Sequence, residues 1–181
     1  NYLAQGYIAI PISITVEGAN ILTRNLILFG QGAVRCHPYL RDEMQAVEKK
    51  DISGLDKLLV RHFSYSIKNL FKTFLCAFGL GHFFVETPIQ NFGYYYRQIS
   101  RLSAALALVT DFTLIILGGN LKRKERLSAR LGDVLSYLYI ASSVIRYVQE
   151  YPLSKEDDAY ARWGLNYCLY HIQHSFERFF N

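Results

Sequence analysis

From Leu55 to Phe78 the apolar residues of this chain recur three and four positions apart. Leu55, Leu58, Leu59, Phe63, Ile67, Leu70, Phe71, Phe74, Leu75 and Phe78 keep this up for roughly six turns of helix. A strand would alternate every second residue, so the run demands a long amphipathic helix and a partner for its apolar face. Ser53 with Asp56 three positions later resembles a capping box at its start, and Gly79 and Gly81 stop it. The same period returns at Tyr95, Ile99, Leu102, Leu106, Val109 and Ile116, closed by Gly118-Gly119. It returns again after Asn120, with Leu127, Leu131, Val134, Leu135, Leu138 and Ile145, and ends before Pro152. Ser154-Lys155-Glu156-Asp157 reads as one more helix start, and Trp163, Tyr167, Tyr170 and Phe176 carry that helix to the end. No strand or hairpin pattern follows residue 20, and no internal repeat is present. Long amphipathic helices on short connections predict an all-α fold: an antiparallel helical bundle of three to five long helices.

The head of the chain is different. Tyr7 to Thr15 alternates around Pro11 and breaks at Glu17-Gly18. From Ala19 the spacing turns helical through Ile21, Leu22, Leu26 and Phe29, and His37-Pro38 should end that helix. Arg41 to Asp51 is polar and marks a boundary or a short polar helix. The expected division is therefore residues 1–38 as the end of one helical domain and residues 39–181 as an additional bundle. The chain opens without Met in the middle of an apolar stretch, which suggests that more of the protein lies upstream.

Composition narrows the function classes. With 51% hydrophobic and 19% charged residues the composition is that of a globular chain and argues against disorder. The net charge of +5 suits an anionic partner, whether a coenzyme A phosphate, a membrane surface or nucleic acid, and decides for none. Tyr94-Tyr95-Tyr96 beside Arg97 and Arg101 lacks a basic stripe on the same face, so packing is the better reading and no nucleic acid is expected. Cys36, Cys76 and Cys168 are far apart and odd in number, which points to a reducing, cytoplasmic compartment. Leu102 to Leu117 is apolar but carries Asp111 and falls short of the ~20 residues of a membrane span, so a core helix is expected. Peripheral contact with a membrane surface stays open.

Glu17 is the one carboxylate in a run of β-branched residues, followed by a glycine that lets backbone approach a ligand closely. Its apolar lead-in raises a carboxylate pKa and a helix start lowers it, so the residues alone leave it between a catalytic base and a helix cap. The wider run Pro11-Ile12-Ser13-Ile14-Thr15-Val16-Glu17-Gly18-Ala19-Asn20-Ile21-Leu22-Thr23-Arg24 decides more. With Phe29-Gly30-Gln31-Gly32-Ala33-Val34-Arg35-Cys36-His37-Pro38 and the stretch Leu117 to Asp133, it resembles the long-chain acyl-CoA dehydrogenases of bacterial fatty-acid β-oxidation over nearly the whole chain.

That resemblance implies an enzyme that oxidises fatty acyl-CoA to trans-2-enoyl-CoA. It implies Glu17 as the base that takes the α-proton, Gly18 beside the thioester, and Ala19, Asn20 and Ile21 near an FAD cofactor. Ala19 stands where many relatives have Thr and brings no hydroxyl. An electron-transferring flavoprotein would be the redox partner, and a homo-oligomer is expected. This chain alone, without most of the flavin and acyl pockets, should neither hold FAD nor turn over. The rival reading makes residues 39–181 a non-catalytic module for dimerisation or peripheral membrane docking.

Other candidates carry less. His171 and His174 lie one turn apart with no cysteine nearby, and no metal site is expected. His37 and His62 read as hydrogen-bonded structural residues. Lys122-Arg123-Lys124-Glu125-Arg126 with Arg130 could meet anionic lipid or a coenzyme A phosphate. A solvated face with Arg126 or Arg130 tied to Asp133 is the simpler account.

Overall fold

The computed structural model describes residues 37–87 and 90–181 and, before them, only the isolated positions 4, 7, 8, 32 and 35. Among these residues there is no strand, and the expected all-α bundle is what forms. The elements are α1 (Leu40–Glu48), α2 (Ile52–Ala77), a single turn α3 (Gly81–Phe84), α4 (Gly93–Leu117), α5 (Glu125–Glu150) and α6 (Lys155–Phe180). Two 3-10 turns, Gln90–Phe92 and Gly118–Arg123, lead into α4 and out of it.

Local chemistry sets the ends of these helices. At α6 the capping box is complete: the Ser154 hydroxyl accepts from the Asp157 N–H at 3.1 Å, and the Asp157 carboxylate accepts from the Ser154 N–H at 3.3 Å. At α2 the cap is Asp51, whose Oδ1 accepts from the Gly54 N–H at 2.9 Å, and not the Ser53–Asp56 pair read from the sequence. The polar stretch from Arg41 is helix α1. Asn120 does not start the third long helix. It lies in the 3-10 turn, and α5 begins at Glu125. Gly118 closes α4 at φ +48°, a left-handed backbone that favours glycine. Gly79 ends α2 at φ +80° in the same way, whereas Gly81 opens α3.

Short connections fold the long helices back on one another. α5 and α6 pack face to face, α4 packs on both, and α2 lies along α4 with α1 across it. The core is the meeting of α4, α5 and α6: Tyr95 and Leu102 pack with Val134, Leu138, Leu165 and Ile172. Each fully buried Leu, Ile or Val there stabilises by about 1.5–3 kcal/mol. A second cluster of Leu121 and Leu131, backed by Leu106, Val109 and Phe176, closes the end near the Gly118–Arg123 turn.

Helix α2 is the exception. Its apolar period is the clearest in the sequence, yet only Cys76 is buried on it, and Phe63 (69% exposed) and Phe74 (58%) stand out in solvent. The helical stretch Gly93–Leu121 is long and apolar enough by length and composition to cross a membrane, longer than the sequence suggested. It also buries Thr110, Asp111 and Thr113 against its neighbours, as a core helix does.

Candidate functional site

The residues that the sequence singled out for chemistry, Glu17, Gly18, Ala19, Asn20 and Ile21, lie outside the described residues. What the described part brings together is a polar cluster where α1, α2 and α4 meet.

It starts from a helix end without a conventional cap. Tyr39 precedes α1 and offers no capping side chain. Instead the His37 ring folds over the helix start, and its Nδ1 accepts the N–H groups of Tyr39 and Leu40, each at 3.2 Å. A backbone amide only donates, so Nδ1 must present its lone pair. The ring proton then sits on Nε2, which donates to Asp111 Oδ1 at 2.8 Å. Asp111 Oδ2 accepts from the Ser66 hydroxyl of α2 at 2.6 Å. His62 completes the set, with Nδ1 at 2.8 Å from Glu43 Oε1 and Nε2 at 3.5 Å from Asp111 Oδ1. Glu43, His62, Asp111 and His37 therefore form one chain of paired groups linking α1, α2 and α4.

Aromatic rings frame it. Tyr39 stacks on His62 at 5.5 Å between ring centres, and Tyr65 stands edge-on to His37. Burial by itself would raise the Asp111 pKa. The His37 and Ser66 hydrogen bonds, with the fields of His37 and His62, outweigh it, and the carboxyl lies below its ordinary value of 3.8. Beside the cluster, α2 and α4 enclose an apolar groove of about 720 Å³, walled by Leu59, Phe63, Leu70, Leu108, Phe112 and Ile115. Its polar end is formed by Glu43, His62, Ser66 and Asp111, whose carboxylates are already met by the histidines and the serine.

Ligand atoms of His37, His62 and Asp111 all lie within 4.8 Å of one another, a spacing a metal ion could bridge. The two amides on His37 Nδ1 argue against it. A metal at Nε2 would displace the proton there and leave an imidazolate, which neutral-imidazole ligation does not require. The arrangement is a polar clamp that holds the start of α1 to the middle of α4. Sequence reasoning took His37 and His62 as hydrogen-bonded structural residues, and both are. It missed that they share Asp111, although an acid within an otherwise apolar helical run was the available signal.

Two other sequence candidates have ordinary surroundings. His171 stacks on Tyr137 at 4.9 Å, and His174 stacks on Tyr170 with Glu177 3.6 Å away. The basic cluster after Gly118 lies at the opposite end of α4 from its Gly93 start. Among the described residues, Arg130 alone of its cations has an ion-pair partner, Asp133 at 3.8 Å.

A family model described as acyl-CoA dehydrogenase, C-terminal, bacterial type, matches residues 34–181. The chain belongs to this family. The match takes in every residue of the clamp and all the described helices of this acyl-CoA dehydrogenase C-terminal domain. It begins after Ile21, so Glu17 and its neighbours lie before it. No solved structure matches the chain.

Proposed function

We propose that this chain is the C-terminal part of a flavin-dependent acyl-CoA dehydrogenase of fatty-acid β-oxidation, with Glu17 as its catalytic base. The observation that supports this reading most is the family match over residues 34–181, directly downstream of the Pro11–Arg24 run that carries the resemblance. Residues 1–38 would be the end of the catalytic helical domain, and residues 39–181 the added bundle.

Glu17 takes the α-proton of the acyl-CoA thioester, which requires its carboxylate within hydrogen-bond reach of that proton. Gly18, without a side chain, lets the backbone lie against the thioester. Ala19, Asn20 and Ile21 would hold FAD, which when bound accepts the β-hydrogen as hydride. Loss of proton and hydride leaves the trans-2-enoyl thioester, and the electron pair goes on to an electron-transferring flavoprotein. The parent would be a cytoplasmic homo-oligomer.

The test is Glu17→Gln in the full-length enzyme, with flavin absorbance as the folding control. The substitution should keep bound flavin and cut dehydrogenation by about 10²-fold or more, the scale of a lost general base. A near-normal rate would remove Glu17 from the role.

A second reading has its own observation. The exposed apolar wall of α2 and α4, including Ile115 (76% exposed), suits a docking module in residues 39–181. Both readings can hold, for different parts of the chain.

A further inference from the structure

The turn that leaves α4 and the start of α5 place Arg123, Lys124, Arg126 and Arg130 around a cavity of about 480 Å³. Its far wall comes from the last turn of α6, which adds Arg178 and Phe179. Five cationic side chains thus share one concave space with a single acidic side chain, Glu125, and with Asn181, the last residue of the sequence. Among the described residues, only Arg130 of the five has an ion-pair partner, Asp133 at 3.8 Å. The 26-residue helix α5 starts here with no capping side chain, so the positive end of its dipole adds to the same field. Cations gathered at a helix start repel one another and oppose that dipole, an arrangement that an anion relieves. Leu127 and Phe179 add apolar lining to the cavity.

We propose that this cavity binds a phosphate-bearing ligand, with Arg126 and Arg178 gripping the phosphate from α5 and α6 and the positive end of the α5 dipole adding to their field. Arginine forks match phosphate oxygens two at a time, and the first-turn N–H groups of a helix favour the same anion. The space exceeds a single phosphate and suits a diphosphate or a phosphate ester with an apolar or planar remainder against Phe179. The source of that phosphate is either a soluble nucleotide or a lipid headgroup. The inference is independent of Glu17 and of the flavin, so it stands or falls apart from the reading above.

The experiment is calorimetric titration of the whole chain with pyrophosphate and with ADP, alongside co-sedimentation with phosphatidylglycerol and phosphatidylcholine vesicles. Saturable binding of pyrophosphate or ADP is expected. It should weaken about tenfold or more in Arg126→Gln with Arg178→Gln, the loss of one or two charge-assisted hydrogen bonds. Arg146→Gln, on the far part of α5 and paired with Glu150, should leave binding unchanged. Binding confined to phosphatidylglycerol vesicles and lost in the same pair would assign the phosphate to a lipid headgroup and keep the site. Both arginines are exposed, so folding should survive, and Lys124→Gln gives a milder second variant. No binding to any probe overturns the proposal, as does a loss no larger in the arginine pair than in Arg146→Gln.

Discussion

A carboxylate in the middle of an apolar helix is stable only where donors meet it, and Asp111 is met on both oxygens. Its folded pKa lies below 3.8, so the folded chain binds this proton less readily than the unfolded chain. The stability it contributes is complete well above that value and drains away as pH falls through and below it. Asp111→Asn keeps the shape, but His37 Nε2–H and the Ser66 hydroxyl already donate to the two oxygens. The new amide NH₂ must face either the His37 N–H, which can only donate there, or the Ser66 hydroxyl, which must give up its own donation and turn to accept. The substitution should cost about 1–3 kcal/mol in urea unfolding near neutral pH. That gap should narrow as pH falls below 3.8, where the native carboxylate progressively loses its own advantage. A gap that stays constant with pH would mean that the clamp is held by shape alone. The sequence showed the acid but not its partners: Ser66 lies 45 residues away and His37 lies 74 away. Contacts at such separations depend on how helices fold back on each other, which local periodicity does not specify. Glu17 is the reverse case. Its role is legible only through a resemblance, because the residues alone describe a helix cap equally well.

Among the elements, all four long helices were legible because their apolar residues repeat at 3.6 over many turns, and Ser154 with Asp157 marked the start of α6 correctly. The start of α2 shows why boundaries are harder. Ser53 and Asp56 have the spacing of a capping box, but Asp51 comes first, and its carboxylate takes the Gly54 amide. Once an upstream acceptor satisfies that amide, the helix begins two residues earlier and Ser53 falls inside it, exposed. Gly54 belongs to the same device, since a methyl group there would sit on the Asp51 carboxylate. Asp51→Ala should therefore cost about 1 kcal/mol, and Ser53→Ala should stay within about 0.5 kcal/mol of the parent. Thermal or urea unfolding of the two variants side by side checks this, and the opposite order would restore the Ser53 cap. The α5 start is the counterpart: with no capping side chain and a basic flank, nothing in the sequence pattern separated the 3-10 turn from the helix proper.

At the scale of the molecule, hydrophobic periodicity and burial part company. The strongest apolar stripe, on α2, faces largely outward, while the core is made by α4, α5 and α6, whose stripes are weaker because those helices are apolar on more than one side. Fold class could be read from the sequence because each helix announces itself. The choice of which helices share the core could not, since any apolar stripe can pair with any other. The distribution has a dynamic consequence. Opening α1 and α2 away from α4 would expose few fully buried side chains of their own, Cys76 and Ala46, together with half-buried residues such as Leu58 and Ile67 and the His37–Asp111 clamp. Opening α5 from α6 would expose Leu138, Leu165 and Ile172 together. Local opening free energy follows the apolar contact that is lost, so native-state hydrogen exchange should sort the helices into two tiers. Amides in the middle of α5 and α6 should exchange only through global unfolding. Those in the middle of α2 should exchange through an opening that is cheaper by about 2 kcal/mol or more, the worth of one or two buried side chains. Asp111→Asn should widen the difference by weakening the tie between the tiers, and α5 amides should report only the global change. If α2 proves as protected as α5, then its outward face is covered in solution, and the docking reading of residues 39–181 gains the occupant that it requires.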